Sequence, residues 1–251
     1  MAATADETEE TTDASEPEPA PRRRPGRIAL AVSVFGELLI TAGVLLGLFV
    51  VYSLWWTNVI ADRKADRQAD KVREHWAEQQ QQDSGPGALD TKDGIGFLHV
   101  PAMHNGEVLV EKGTGTDVLN DGVAGYYTDP VKATLPTTGK AGNFALAAHR
   151  DGHGAKFHNI DKLKKGDPIV FETRDDWYVY KVYSVLPETS KYNVKVLSAV
   201  PKESGRKKPG HYITLTTCTP VYTSRYRYVV WGELVRVEKV DADRTLPREL
   251  R

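Results

Sequence analysis

The sequence predicts an all-β domain, a barrel or a sandwich, that follows a single membrane-spanning helix. Many short runs of strand composition with little helical periodicity occupy residues 94–240, and this spacing is typical of barrels and sandwiches. The nineteen residues from Leu38 to Trp56 carry no charge, and as a helix they would span about 28 Å, close to a hydrocarbon core of about 30 Å. The 251 residues allow one globular domain with accessory segments, and the net charge of −1 does not indicate a nucleic-acid partner.

The N-terminal segment predicts a cytoplasmic tail. The first twenty residues are acidic, with Thr, Ala and Pro between the charges, and such a segment buries too little apolar surface to become ordered. We expect residues 1–27 to be a disordered tail that ends in a basic flank. Arg22, Arg23, Arg24 and Arg27 precede the apolar run, and this position favours a cytoplasmic N-terminus.

The apolar run at 28–57 predicts an uncleaved membrane anchor. Tyr52, Trp55 and Trp56 lie at its far end, where an aromatic belt is expected. A cleaved signal peptide is the alternative, but it would have a shorter apolar core and small residues at its cleavage site. We therefore expect a single-pass protein in the cell membrane, with most of the chain outside the cytoplasm.

Residues 58–93 predict an extracytoplasmic stalk. Ala61 to Gln82 is highly charged and has few apolar residues, so we expect a solvated helix without a core-facing side. Ser84 to Gly87 would end it. The globular domain is then expected at 94–240, followed by a C-terminal tail at 241–251.

Each strand of the domain is predicted by β-branched and aromatic residues between turn signals. Thr116 to Leu119 favours a short helix, and Phe157 to Lys165 favours a helical turn that ends at Gly166. Gly122 to Thr128 is rich in Gly and Tyr, and residues 130–142, 194–204 and 206–210 resemble loops. The predicted strands, in order, are Ile95–Pro101, Gly106–Lys112, Asn143–Ala148, Pro168–Thr173, Trp177–Val185, Tyr212–Cys218 and Tyr226–Val237.

The single cysteine, Cys218, lies at the end of a strand, directly before a turn that contains Pro220. Side chains alternate along a strand, so Cys218 shares a face with Thr216, and Arg225 and Arg227 share a face of the returning strand. A lone cysteine is often only a small buried apolar residue. Outside the cytoplasm, however, a cysteine without a partner indicates an intermolecular disulfide or a reactive thiol, and we favour the reactive thiol.

A nucleophilic cysteine requires a base, and His149 is the best placed of the seven histidines. It ends an apolar strand and precedes a loop that contains glycine, a position suited to catalysis. A zinc site formed by His149, His153 and His158, with Cys218, is the alternative. The intervening glycines and the lack of a second cysteine disfavour it, so we expect neither a metal nor a cofactor.

Three motifs resemble those of the sortases, the membrane-anchored cysteine transpeptidases of Gram-positive bacteria. Thr214 to Cys218 reads TLTTC and matches the family signature TLxTC, with Arg227 nine residues beyond the cysteine. Asn143 to Arg150 matches the stretch that ends in the family's catalytic histidine, and Phe97 to Pro101 matches its first strand. The resemblance implies an eight-stranded sortase-type β-barrel. It also implies that Cys218 is the nucleophile and His149 the general acid and base. The catalytic arginine is Arg225 or Arg227, and we prefer Arg227 because an apolar strand follows it, as in the family.

The motif and its loop are most similar to the class E sortases, which favour LAxTG sorting signals over LPxTG. In that class a tyrosine replaces a residue used elsewhere to recognise proline, and Tyr126 and Tyr127 are the candidates here. The resemblance implies two partners, secreted proteins that bear a sorting signal and an amine of a peptidoglycan precursor. The full set of expected substrate contacts is Tyr126, Tyr127, Thr216, Thr217 and Arg225.

Two other functions would fit an anchored β-domain with one cysteine. A cysteine protease would use water as the acceptor, but the Gly and Trp neighbours typical of papain are absent around Cys218. A non-enzymatic binding domain with a fortuitous cysteine is the second alternative. Selective alkylation of Cys218 that depends on His149 would distinguish an enzyme from this domain.

Overall fold

The computed structural model describes residues 26–81 and 94–251. The expected disordered tail therefore lies almost entirely outside the described residues, as does the expected end of the stalk at Ser84 to Gly87. The first element of the described chain is one long helix, α1 (Arg27–Gln81), of 55 residues.

Among the described residues, α1 is the one helix that is long and apolar enough to cross a membrane. Its first thirty residues expose apolar side chains such as Leu38, Leu45 and Phe49. A helix that is apolar and exposed over this length fits a membrane anchor, because the lipid rather than the protein covers its side chains. The predicted spanning segment at 28–57 lies within this helix.

The globular part is a closed barrel of eight strands, as the sequence predicts. Around the barrel the strand order is β1-β2-β3-β4-β7-β8-β6-β5, and β5 closes onto β1. The pairs β2–β3 and β4–β7 are parallel, and the other pairs are antiparallel. The strands are β1 (Gly96–His99), β2 (Glu107–Lys112), β3 (Ala124–Tyr126), β4 (Gly142–Ala147), β5 (Pro168–Glu172), β6 (Asp176–Ser190), β7 (His211–Thr219) and β8 (Tyr226–Lys239).

Closure leaves no exposed strand edge in the barrel, and its core is built from alternating positions of the strands. Along β7, Ile213 and Leu215 belong to the main core cluster, together with Phe144 of β4 and Trp231 of β8. The intervening threonines of β7 face the other side of the sheet. Predicted and observed elements agree at the short helix α2 (Thr116–Leu119) and at the β5–β6 hairpin.

The expectation of a fully solvated stalk helix is wrong for one face of α1. Ala61, Ala65, Val72 and Trp76 are buried, at spacings of four, seven and four residues, so they lie along one side of the helix. Ala65, Val72 and Trp76 form a cluster with Phe97, Leu109 and Val123 of the barrel domain. The Trp76 ring meets the Phe97 ring edge-on, with 5.5 Å between the ring centroids. The helix therefore packs on the barrel through this stripe, while its other faces stay exposed.

A buried carboxylate, Glu172 at the end of β5, joins three parts of the chain. Its oxygens accept hydrogen bonds from Arg73 of α1 at 2.6 Å, from His99 of β1 at 2.8 Å and from Arg244 near the C-terminus at 2.5 Å. Burial raises the pKa of Glu172, but the hydrogen bonds with His99, Arg73 and Arg244 outweigh it and lower that pKa to about 2. The segment expected to be a tail, 241–251, is thus attached to the barrel, and a second ion pair joins Glu249 to Arg236.

Candidate active site

Cys218 lies one residue before the end of β7, directly opposite Arg227 of β8. The pair forms because the chain reverses after β7, and the antiparallel register then aligns the two residues. The thiol is partly exposed. The structure thus places a thiol and a guanidinium at paired positions of neighbouring strands.

His149 follows the end of β4, the strand that pairs with β7 in parallel. The register places Ala147 opposite Thr216, and the Thr217 hydroxyl donates a hydrogen bond of 2.7 Å to the carbonyl oxygen of Ala148. This bond ties the end of β4 to β7 one residue before both His149 and Cys218. The two candidate catalytic residues therefore follow neighbouring, hydrogen-bonded positions.

The His149 ring is held by Asn120, which follows α2. The distance from His149 Nε2 to Asn120 Oδ1 is 2.9 Å. An amide oxygen only accepts, so Nε2 carries a proton and donates it, and Nδ1 is left for proton exchange. Sequence analysis missed Asn120, because it lies 29 residues before His149 and no motif connects them.

The pKa of His149 is lowered from its ordinary value. Burial is the main cause, electrostatic repulsion between the two imidazole groups of His149 and His153 adds to it, and Asp151 opposes both. The His149 and His153 rings are 5.4 Å apart between centroids. A lowered pKa favours the neutral imidazole near neutral pH, the form that accepts a proton.

Arg227 is oriented by its own loop. Its Nη1 donates hydrogen bonds to the carbonyl oxygens of Ser224 at 3.2 Å and Tyr226 at 3.0 Å. Arg225 is exposed on the same loop and stacks on the Tyr226 ring at 5.2 Å. Arg227 faces Cys218 in the β7–β8 register and lines a cavity that Arg225 does not line, which favours Arg227 as the arginine of the site.

A cavity of about 280 Å³ adjoins Arg227. The Tyr127 hydroxyl lies 2.9 Å from Thr216 Oγ1, and both residues line the cavity. Burial raises the pKa of Tyr127, so its hydroxyl stays neutral. One wall comes from the segment after β6, which the sequence indicates only as a loop. The lining residues are Tyr127, Pro130, Lys191, Tyr192, Asn193, Val194, Val196, Leu197, Thr216 and Arg227.

Three of the five residues expected to contact substrate, Tyr126, Thr217 and Arg225, do not line this cavity. Tyr126 is buried in the main core cluster. The Thr217 hydroxyl is engaged by the Ala148 carbonyl, and Thr217 is also buried. Tyr127 and Thr216 line the cavity, and contact of the other residues with substrate stays a prediction.

Arg150, the residue after His149, links the loop that carries His149 to the end of β7. It is buried, its Nη1 donates to Thr219 Oγ1 at 2.8 Å, and its guanidinium lies 5.5 Å from the centroid of the Tyr228 ring. Asp151 accepts a hydrogen bond of 2.9 Å from the backbone N–H of Tyr222 in the β7–β8 loop. The loop after His149 and the loop after Cys218 are therefore joined at two points.

The histidines of this loop are not arranged as a metal site. His158 Nδ1 lies 2.8 Å from the carbonyl oxygen of Arg150. Within 26–81 and 94–251, the one cluster of three donor residues close enough for a shared ion is His99, Glu107 and Glu172. There the Arg73 guanidinium already bridges the two carboxylates.

Comparison with known proteins identifies the family. The Sortase domain model matches residues 98–235. Sortase SrtE2 of Streptomyces coelicolor is 78% identical over 234 residues, which cover 92% of each chain. Sortase SrtE1 of the same organism is 47% identical over 214 residues, which cover 85% of this chain and 60% of that protein.

The fold comparison agrees. The crystal structure of Sortase E1 from Streptomyces coelicolor with a tripeptide in the active site matches with a TM-score of 0.59 and 48% identity, and covers 63% of this chain and 96% of that one. Sortase E from Streptomyces avermitilis matches with a TM-score of 0.54 and 32% identity, and covers 63% of this chain and 97% of that one. The chain therefore belongs to the sortase family of cysteine transpeptidases, among the class E sortases.

Proposed function

We propose that this sortase cleaves LAxTG-type sorting signals between Thr and Gly and joins the released carbonyl to an amine of a peptidoglycan precursor. Cys218 is the nucleophile, His149 the general acid and base, and Arg227 the oxyanion-binding cation. One observation carries the proposal. Cys218 of β7 pairs with Arg227 of β8, and β7 also pairs with β4, the strand that leads to His149.

In the first half of the reaction, the Cys218 thiolate attacks the carbonyl carbon of the signal's threonine. Arg227 donates hydrogen bonds to the developing oxyanion, a stabilisation that contributes about 3 kcal/mol in other acyl transfers. His149, as imidazolium, protonates the glycine nitrogen through Nδ1, and the C–N bond breaks. The products are a thioester on Cys218 and a free glycine amine.

In the second half, the amine of the peptidoglycan precursor attacks the thioester. His149 is now neutral and accepts the proton that the amine loses, so one ring serves both halves of the reaction. The lowered pKa of His149 supports this role, because an acid with a pKa near or below the working pH gives up its proton readily. Cys218 leaves as the thiolate and the enzyme is restored.

The cavity beside Arg227 supports a peptide substrate. Pro130, Val196 and Leu197 supply apolar walls, which suit the leucine and alanine of the signal. The Tyr127 and Thr216 hydroxyls lie 2.9 Å apart. We place the alanine of the LAxTG signal beside them and assign the preference for alanine over proline to Tyr127. The tripeptide in the active site of Sortase E1 from Streptomyces coelicolor supports peptide binding at the corresponding place.

The proposed placement in the cell follows from the anchor. The arginines before α1 favour a cytoplasmic N-terminus, and residues 94–240 would then act outside the cytoplasm as a single-pass membrane protein. Sorting-signal proteins and lipid-linked wall precursors both reach that face of the membrane, so both substrates would meet the enzyme there.

A transfer assay on the detergent-solubilised full chain tests the proposal. A fluorescence-quenched LAxTG peptide is supplied with and without a peptidoglycan stem-peptide amine, and mass spectrometry identifies the products. We expect an amine-joined product with the wild type and none with Cys218→Ala. Cleavage with water alone, even when the amine is present, would contradict the proposed acceptor. Equal rates for LAxTG and LPxTG would contradict the proposed specificity.

A further inference from the structure

A group of polar contacts at the start of the docked part of α1 lies outside the site described above. The Asn58 Oδ1 atom accepts a hydrogen bond of 3.0 Å from the backbone N–H of Gly154. The Asp62 carboxylate is 2.9 Å from Lys156 Nζ, and Lys64 Nζ is 2.6 Å from the Asp121 carboxylate. We call residues 58–64 the clamp segment.

The clamp segment holds two loops, and these are the loops that carry His149 and its partner. Gly154 and Lys156 belong to the loop that follows His149, and Asp121 comes directly after Asn120. Within the site, the two loops are linked by the 2.9 Å bond between His149 Nε2 and Asn120 Oδ1. The distance between the loops therefore decides whether that bond forms.

Two glycines show how closely the helix and the loops approach. A Cβ atom added at Gly154 would lie 2.9 Å from Asp62 Oδ1 and 3.2 Å from the Cα atom of Gly122. A Cβ atom added at Gly122 would lie 3.0 Å from the carbonyl oxygen of Ala61. Both glycines have a positive φ, +77° and +75°, which other residues rarely adopt. Gly122 thus lies against the backbone of the helix, and Gly154 lies against the Asp62 side chain and the Gly122 backbone.

We propose that the clamp segment of α1 is a positioning element for His149, because it holds both loops at the separation that the His149–Asn120 hydrogen bond requires. A helix is a rigid support for such a constellation, and a hydrogen bond weakens steeply when its donor and acceptor move apart. The bond keeps the proton on Nε2 and leaves Nδ1 as the atom that gives and accepts the catalytic proton. The inference rests on the role proposed for His149.

The far end of the docked helix provides an internal comparison. Arg73 attaches the helix to the barrel, and its hydrogen bonds run to Glu172 and Glu107 rather than to the two loops. If the helix only stabilised the barrel, variants at its two ends would affect stability and kcat in the same way. A positioning helix makes the clamp segment affect catalysis, whereas the Arg73 end affects stability.

The test uses the full chain in nanodiscs and the double variant Asn58→Ala/Asp62→Ala. We expect kcat for amine transfer to fall ten- to a hundredfold with KM changed less than twofold, because misplacement of a catalytic group by about 1 Å has effects of this size. Hydrogen–deuterium exchange of peptides that cover 119–123 and 150–156 should become faster. The single variant Asp62→Asn keeps Asn58 and an oxygen that can accept a hydrogen bond from Lys156. It should retain most of the wild-type kcat.

Two single variants serve as controls on the same helix. Asp66→Ala changes an exposed position and should leave kcat, exchange and the unfolding midpoint at wild-type values. Arg73→Ala should lower the unfolding midpoint and leave both kcat below that midpoint and loop exchange unchanged. Each variant is assayed well below its own unfolding midpoint.

The inference and the proposed function fail in different ways. Wild-type kcat and wild-type loop exchange in the double clamp variant would overturn the inference and leave the proposed function intact. An equal loss of kcat in Arg73→Ala would also overturn it, because the effect would then follow stability. If the wild type transferred no peptide, the proposed function would fall, and the exchange of the two loops would still decide whether the clamp segment holds them.

Discussion

The substitution Glu172→Gln tests how strongly one buried carboxylate holds the helix, the barrel and the C-terminal segment together. The pKa of Glu172 is lowered from an ordinary 4.5 to about 2. At 1.36 kcal/mol per pKa unit this corresponds to about 3 kcal/mol of stability at neutral pH. Removal of one partner from a buried ion pair costs about 3–5 kcal/mol by independent measurements. We therefore expect Glu172→Gln to lower the free energy of unfolding by about 3 kcal/mol at pH 7.

The pH dependence of this loss distinguishes the carboxylate's charge from its packing. A lowered folded-state pKa adds stability above the unfolded-state value of 4.5, and that stability disappears as the pH falls toward about 2. The difference between the wild type and Glu172→Gln should therefore stay constant from neutral pH to about pH 5 and shrink below that. Urea denaturation of the full chain in detergent, followed by tryptophan fluorescence, measures it.

Glu107→Gln is the matched control, because Glu107 contacts the same Arg73 guanidinium but its side chain is 44% exposed. Exposed ion pairs contribute about 0–1 kcal/mol, so Glu107→Gln should cost less than about 1 kcal/mol. The reasoning is refuted if Glu172→Gln costs no more than Glu107→Gln, or if its cost is as large at pH 3 as at pH 7.

Three further predictions concern the site. Arg227→Lys should lower kcat about a hundredfold in single-turnover assays, because the planar guanidinium that donates to the oxyanion is lost. The rate at which Cys218 is alkylated should stay at the wild-type value. Wild-type turnover in this variant would exclude the proposed role of Arg227. His153→Asn should raise the pKa of His149, because it removes the electrostatic repulsion that His153 exerts on the protonated His149 ring. Asparagine tolerates the left-handed φ of 46° at this position. Asp151→Asn should lower the same pKa, and histidine NMR titrations that move in one direction for both variants would contradict this account. Tyr127→Phe should reduce the ratio of LAxTG to LPxTG rates about fivefold, the equivalent of one hydrogen bond of roughly 1 kcal/mol, and an unchanged ratio would remove Tyr127 from specificity.

Local pattern predicts an all-β domain with strands on both sides of Cys218, and the family resemblance narrows that domain to an eight-stranded barrel. Strand alternation places Thr216 and Cys218 on one face and allows a return of the chain to bring an arginine near the thiol. The features predicted from local pattern depend on neighbours close in sequence or on a fixed period, and a single sequence contains both. The register that sets Arg227 opposite Cys218 comes only with the structure.

Features that join distant segments could not be predicted. Asn120 reaches His149 only because the chain after α2 folds back onto the end of β4. The docking face of α1 consists mostly of alanines with Val72 and Trp76, so its low apolar content indicates a solvated helix. The surface that covers this face is formed by β1 and β2, and no pattern within residues 58–81 specifies it.

The central claim is that Cys218 forms a thioester with the threonine carbonyl of a sorting signal. Intact mass spectrometry of the full chain, quenched in acid during turnover of an LAxTG peptide without added amine, tests it most directly. We expect a mass increase equal to the peptide up to its threonine, located at Cys218, absent from Cys218→Ala and removed by added amine. A wild-type protein that cleaves the peptide without ever carrying this adduct, or that carries it at another residue, would contradict the account.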